Sequence, residues 1–469
     1  MNQATAAFIR SNADGDVRLL ALRGTKDPEV DLTFALDQIA GRQTARKKQP
    51  SWAAVEGIVY PPHLSMEQCS SEQTARYKAG VAGRGRRLVD LTGGFGVDFS
   101  FMAQGFAEAV YVERQPALCD IARQNFGVLG LRQAEVVCAD SEDYLRQMAP
   151  VDLIYIDPAR RDSHGGRTYG ISDCTPDVVA LMPLLTAKAD RVIIKLSPML
   201  DWRKAVSDLG EQYVGEVHIV SVGNECKEMV VETKTLPRPL QTLQTHPRPL
   251  PVGRGVITPI ACVNILSDDY IQTFHSSLPS SSNNGVEASL PSSSNNVVEA
   301  LLPSSSNNGV EAGLPCSGDY SPPYREGPGV GLEGLVGLLG LGLFLYEPNA
   351  SIMKAGCFAE LSQHFGIAPI ATNSHLFVSA DEVDGFPGRT FVIDAVTTLN
   401  KRDLKVHLAG VRQANITMRN FPLTVAELRK RLKLSEGGST YIFATTLANG
   451  EKVLLICSKK ATPLQQRRA

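Results

Sequence analysis

Arg87-Leu-Val-Asp-Leu-Thr-Gly-Gly-Phe-Gly-Val-Asp98 is the stretch whose reading decides the fold. Leu88–Leu91 is an apolar run of strand length, the glycines follow at once, and a helical pattern begins near Val97. Glycine is needed where backbone takes positive φ or approaches a ligand closely, so strand, Gly-rich turn and helix read as a nucleotide-type loop. A dinucleotide fingerprint started at Gly94 fails, because Phe99 stands where its last glycine belongs. What remains is an acid, Asp90, ahead of a turn that carries Thr92, Gly93, Gly94 and Gly96.

Downstream, short apolar runs alternate with amphipathic segments: Ala109–Val112, Val136–Cys138, Leu153–Ile156, Val192–Ile194, Val217–Val222 and Met229–Val231. Strands alternating with helices at this spacing predict an α/β, Rossmann-like fold with a mostly parallel sheet covered on both faces. Ligands of such sheets bind beyond the carboxyl ends of the strands. Polar residues fall at those ends. Glu113 closes the second strand, at the distance where an acid meets a ribose diol, and Asp140 follows the third strand, placed to receive an adenine amino group. Asp157-Pro158-Ala159-Arg160-Arg161 ends the fourth strand. Its proline stops the strand, Asp157 is a candidate to accept hydrogen bonds from an amine or a cofactor, and Arg160 or Arg161 to hold a phosphate or carboxylate. Taken singly, each is equally an exposed surface charge; Asp90, Glu113 and Asp140 at three successive strand ends together argue against coincidence.

Outside this block the chain is an ordinary globular sequence of 469 residues, 43% hydrophobic and 20% charged, long enough for two or three domains. The net charge of −2 shows no polyanion-binding signature overall, but it hides an asymmetry. Residues 387–469 hold 15 Lys and Arg against 5 Asp and Glu, whereas 84–235 hold 17 against 22. A basic tail beside a mildly acidic sheet suggests delivery of a polyanion to a catalytic unit; the plain alternative is a solvated basic surface. Nine cysteines without CxxC pairs or histidines at ligand spacing point to reduced thiols and to no metal. No basic-then-apolar leader is visible at Met1-Asn2-Gln3-Ala4, so a cytoplasmic protein is expected. Gly329–Leu345 is apolar, but six glycines and Glu333 make it a poor spanning helix, and no membrane partner is expected.

Residues 1–80 carry helical patterns, among them Pro28–Ile39 and a helix through Tyr77 capped by Ser70 or Ser71. Leu278-Pro-Ser-Ser-Ser-Asn-Asn-Gly-Val-Glu-Ala recurs from Leu290 and Leu302 with a period of 12, too short and too polar to build a folded array, so an insertion over about 276–340 is expected.

The motifs over 87–235, in this order, resemble class I S-adenosylmethionine-dependent methyltransferases. Leu64–Lys78, Asp157-Pro-Ala-Arg-Arg161, Lys195-Leu-Ser-Pro-Met-Leu-Asp201, Asn224-Glu-Cys-Lys-Glu228, Leu345–Gly356 and Ile416–Arg429 narrow the resemblance to a bacterial group with a ferredoxin-like domain and a C-terminal THUMP-like domain. The resemblance implies an N-terminal helical region over 1–80, a methyltransferase domain over 81–235, a ferredoxin-like domain over 236–386 interrupted by the repeats, and a basic THUMP-like domain over 387–469. It places S-adenosyl-L-methionine against Asp90, Gly93, Gly94, Gly96, Glu113 and Asp140, and Asp157 and Pro158 beside the transferred methyl; Thr92 joins the cofactor set from its place in the turn, and Arg160 joins the catalytic set as a candidate anion holder. It implies an RNA substrate, with tRNA favoured.

The acceptor is less defined. Ala159 and Arg160 replace the second proline and the aromatic of an Asp-Pro-Pro-aromatic motif, which removes the ring that stacks on a target base. Carbon methylation of pyrimidines needs a cysteine thiolate, and the fifth strand ends Lys195-Leu-Ser-Pro198 without one; Cys174 and Cys226 are the open alternatives. Nitrogen methylation is therefore favoured. A protein or small-molecule acceptor, or a degenerate module that binds cofactor or RNA without turnover, are the competing readings.

Overall fold

The structure is a computed structural model that describes residues 1–160, 170–234, 257–267, 270–279 and 342–459. It divides into two compact units, the first built on Met1–Ile271 and the second chiefly on the described residues after 341.

The first unit opens with six helices: α1 (Gln3–Ser11), α2 (Val17–Arg23), α3 (Leu32–Lys48), α4 (Pro50–Ala53), α5 (His63–Gln68) and α6 (Glu72–Ala82). Short polar side chains start them by accepting from otherwise unsatisfied N–H groups, as Asp31 does from Phe34 and Ser71 from Thr74. The helix read from Pro28 thus begins later, at Leu32, where Asp31 caps it.

The sheet comprises β1 (Gly85–Asp90), β2 (Phe106–Glu113), β3 (Ala134–Cys138), β4 (Val151–Ile156), β7 (Ala189–Leu196), β8 (Val214–Val222), β9 (Glu225–Thr233), β10 (Ile257–Ser267) and β11 (Tyr270–Pro279). A separate pair, β5 (Ala159–Arg160) and β6 (Cys174–Thr175), is antiparallel. Helices α7 (Val97–Met102), α8 (Pro116–Val128), α9 (Ser141–Gln147), α10 (Val178–Lys188) and α11 (Trp202–Leu209) connect the strands. The nine-stranded order is β11-β10-β8-β9-β7-β4-β1-β2-β3. From β3 to β7 all neighbours are parallel, and β9 then inserts antiparallel between β7 and β8. Chain order reverses at β1, which has β2 on one side and β4 on the other, so a crevice opens at their carboxyl ends. β10 and β11 extend this sheet past residue 235, where the sequence places the start of the next segment. Pro279 of the first 12-residue repeat closes β11, and the later repeats lie outside the described residues.

The core joins Leu88, Phe99, Tyr111, Phe126, Leu153, Tyr155, Ile193 and Val263. A second cluster packs Phe95 of the glycine turn among Trp52, Tyr60 and Met66 of the helical layer, with the Trp52 ring edge-on to Phe95 at 5.0 Å. Burying one such ring contributes roughly 1.5–3 kcal/mol, so the helical layer anchors the turn.

The second unit is built from β12 (Phe344–Pro348), α12 (Ala350–Ala355), α13 (Phe358–Phe365), β13 (Ala368–Pro369), β14 (Phe377–Ser379), β15 (Gly388–Thr397), α14 (Lys401–His407), β16 (Asn415–Arg419), α15 (Val425–Leu432), β17 (Thr440–Thr446) and β18 (Lys452–Lys459). Its sheet runs β13-β14-β12-β15-β18-β17-β16, antiparallel except for β16 with β17. Although β16 is an edge strand, Arg419 Nη2 donates to Glu347 Oε1 on β12 at 2.9 Å, so the sheet curls back on itself. Arg389 donates to the other oxygen of the same carboxylate. No helix among the described residues is long and apolar enough to cross a membrane.

Candidate active site

The glycine turn is held from two sides. The Asp90 carboxylate, 1% exposed, accepts from the Thr92 amide at 2.9 Å. Burial raises the Asp90 carboxyl well above the ordinary carboxylate range, with Asp98, Asp157 and Glu113 adding to the rise, and the Thr92 amide only partly opposes it. On the other side the Gly93 amide donates to Val112 O at 2.9 Å and the Gly94 amide to Glu113 Oε2 at 3.0 Å. The glycines answer to different constraints. Gly96 takes φ +84°, as the turn into α7 requires, whereas a side chain at Gly93 would meet the Tyr111 ring at 2.1 Å. At Gly93 the close approach comes from the protein's own core.

Glu113 carries two backbone donors, Gly94 on one oxygen and Gln115 on the other at 2.9 Å. A carboxylate has about four acceptor positions, so it holds the turn and still has capacity for hydroxyl groups. Asp140 lies two residues beyond Cys138, the register partner of Glu113. One of its oxygens caps α9 by accepting from Glu142 and Asp143, and the side chain is exposed. Two acids at adjacent strand ends beside an open glycine turn form an acceptor-only set, which fits a nucleoside's ribose diol and amino group.

The fourth strand closes onto the same turn. The Asp157 amide donates to Thr92 Oγ1 at 2.6 Å, so one threonine ties the β1 turn to the β4 turn. Pro158 is buried. The Arg160 backbone pairs with Cys174 across β5 and β6; its side chain and Arg161 lie outside the described residues. Hydrogen bonds thus join Thr92 to Asp90 and to Asp157, and Gly94 to Glu113; the turn that carries Thr92, Gly93 and Gly94 brings the two groups together, with Gly96 and Asp140 beside them.

Behind Asp157 lies a group that sequence reasoning did not assemble. Lys195, at the end of β7, sits 2.6 Å from Asp157 Oδ2 and 3.8 Å from Asp98 Oδ2. Asp98 also accepts from Ser70 Oγ at 2.7 Å and from the Tyr155 hydroxyl at 2.8 Å. Lys78, wholly buried, is 3.2 Å from Asp98 Oδ1 and donates to Ser70 Oγ at 3.1 Å and to Glu228 Oε1 at 2.5 Å. Burial alone would raise the Asp98 carboxyl, but Lys78 and then Lys195 outweigh it and hold it below the usual range. Burial alone would lower the Lys195 ammonium, but Asp157, Asp98 and Glu228 raise it instead. The signals were present: Ser70 and Lys78 in one motif, Asp98 at the end of the glycine stretch, Glu228 in another. A buried lysine has no sequence mark that separates it from a surface one. Among the described residues, no group of three or more His, Cys, Asp or Glu side chains is placed to hold a metal ion.

Comparison with known proteins extends these observations. Residues 388–459 match the family described as THUMP domain-like, and residues 344–387 match a ferredoxin-like domain. The crystal structure of a proposed methyltransferase from Porphyromonas gingivalis W83 superposes with a TM-score of 0.72 at 27% identity, over 98% of each chain. The chain has the class I methyltransferase fold, extended by ferredoxin-like and THUMP-like segments. A curated relative, ribosomal RNA small subunit methyltransferase J of Bdellovibrio bacteriovorus, is 36% identical over 85 residues. That match covers 17% of this chain and only 34% of the relative, about a third of its length.

Proposed function

We propose that this chain is an S-adenosylmethionine-dependent methyltransferase that methylates nitrogen in RNA. The observation that carries the reading is Asp157. Its amide is committed to Thr92 and its Oδ2 to Lys195, while the side chain remains 38% exposed at the strand ends. The oxygen left over can only accept a hydrogen bond, which suits a nucleophile carrying N–H. Asp90, Thr92, Gly93, Gly94, Gly96, Glu113 and Asp140 would hold the donor: the turn takes its amino-acid end, Glu113 its ribose and Asp140 its adenine. When bound, S-adenosylmethionine supplies an electrophilic methyl group.

Asp157 would orient the acceptor nitrogen for in-line attack or take its proton, with Pro158 fixing the turn. Arg160 would meet an anionic group of the substrate. Orientation of two partners supplies much of such a rate, and little acid–base chemistry is needed. The RNA substrate is supported by the basic 387–469 segment, by its THUMP-like match, and by the relative named as an rRNA methyltransferase. The test is methyl transfer from labelled donor into total RNA from cells lacking the gene, followed by nucleoside analysis of separated tRNA and rRNA. Label in an N-methylated nucleoside is expected, and Asp157→Ala should abolish it. Label confined to protein or small molecules would refute the RNA assignment, and a C-methylated base would refute the nitrogen assignment.

A further inference from the structure

The buried charges behind Asp157 have no task in the reading above. We propose that Lys195 is a positioning residue, which fixes the Asp157 carboxylate at the point of methyl transfer. In this proposal Ser70 and Lys78 of the N-terminal helical layer hold Lys195 in place through Asp98. The proposal rests on the donor half of the proposed function and not on the identity of the acceptor.

The first argument is the direction in which the network runs. Side-chain exposure rises from 0% at Lys78 through 10% at Asp98 and 13% at Lys195 to 38% at Asp157. A set of charges serving stability alone gains nothing from ending on an open strand terminus beside the glycine turn. The second argument is constraint. Lys78 donates to Ser70 Oγ and to Glu228 Oε1 and forms an ion pair with Asp98 Oδ1 at 3.2 Å, so two hydrogen bonds and an ion pair hold it. Asp98 in turn is held by Ser70, Tyr155, Lys78 and Lys195.

The third argument concerns Lys195 itself. A lysine side chain is flexible and carries about 2 kcal/mol of rotamer entropy, so alone it is a poor support for a neighbouring carboxylate. Clamped between Asp98 and Asp157 it becomes a rigid one. With Thr92 fixing the Asp157 backbone amide and Lys195 fixing Oδ2, one carboxylate oxygen is left with a defined direction. The helical layer is then a working part of the site, reaching it through α6.

The test uses the full chain and two probes whose affinities are measured by calorimetry. One is S-adenosylhomocysteine. The other is sinefungin, in which an amine-bearing carbon replaces the methyl-bearing sulfur, so that the amine stands where the donor has its methyl group. A carboxylate fixed at that point favours sinefungin, by about tenfold for a net 1.4 kcal/mol contact. Asp157→Asn should erase that preference. Lys195→Met should erase it too while leaving S-adenosylhomocysteine affinity within about threefold, Lys195→Arg should keep most of it, and Ser70→Ala, a milder change than any at Lys78, should reduce it in part.

If Lys195 merely competes with the amine for Asp157, Lys195→Met will instead raise the preference for sinefungin, and the proposal falls. It falls equally if Asp157→Asn leaves the ratio unchanged, or if Lys195→Met weakens both probes alike. Should wild type bind neither probe, the donor reading and this proposal fail together. Should it bind both in the expected ratio yet methylate no RNA, only the acceptor assignment fails.

Discussion

Two buried carboxylates, Asp98 in the first unit and Glu347 in the second, are neutralised in contrasting ways. Asp98 lies between two lysines, one wholly buried and one 13% exposed. Glu347, 3% exposed, lies between Arg389 and Arg419, whose side chains are 37% and 29% exposed. Arginine offers a flat fork of donors and tolerates partial hydration, so it suits a staple that closes a curled sheet near the surface. Lysine is a compact point charge that must be surrounded by acceptors once buried, and around Lys78 the first unit supplies them from the segment before α6, from α7 and from β9. One cluster is built at a sheet's closure, the other at the ends of its strands.

The largest effect that would sharpen this contrast comes from Lys78→Met, which leaves Asp98 and Glu228 buried without their shared cation. A loss of about 3–5 kcal/mol is expected in urea unfolding, with hydrogen exchange rising first in α6 and β9 peptides. A loss under about 1 kcal/mol would show that water replaces the ammonium, and the two clusters would then be alike.

Glu347→Gln is expected to cost less, about 1–3 kcal/mol, because the two guanidinium groups can turn toward solvent. Its increased exchange should be confined to β12, β15 and β16. If both substitutions cost the same, exposure of the partners is not what separates the clusters.

The smallest expected effect is a difference in pH response between pH 8 and pH 5. Burial, with Arg419 adding to it, lowers the His375 imidazole below 6.5. The unfolded chain then binds more protons, so stability present above pH 6.5 declines as pH falls through 6.5 toward the folded value. The Asp98 carboxyl is depressed below 3.8, so its contribution is lost only as pH falls beneath that value. The Lys195 ammonium is raised above 10.5, so its contribution persists until pH climbs past that value. Asp90, raised by burial, makes the first unit more stable as pH falls toward 3.8. Acidification from pH 8 to pH 5 should therefore loosen exchange in the second unit and not in the first. His375→Gln should remove the response; a first unit that loosens equally would break the comparison.

Much of the fold was legible because it rests on local signals. Asp90 and the glycines marked the end of β1, alternating apolar runs marked the strands up to β9, and Ser71 marked the start of α6. What stayed hidden depended on partners distant in sequence. The pairing of β10 with β8 carries no local mark, so the sheet's extension past residue 235 was not foreseen. Gly93 reads as a ligand contact from sequence, yet the Tyr111 ring is what leaves it no room for a side chain. The meeting of Lys195 with the Asp157 carboxylate, 38 residues apart, likewise carries no local mark.

By itself the sequence determined where the strands end and the glycine turn falls, since these follow from periodicity and backbone sterics acting over a few residues. Only the tertiary structure decided which charges face one another. Ser70, Lys78, Asp98, Lys195 and Glu228 converge from the loop before α6, two helices and two strands. Whether a lysine is a solvated surface group or the buried partner of two carboxylates depends on the dielectric and the neighbours that folding gives it.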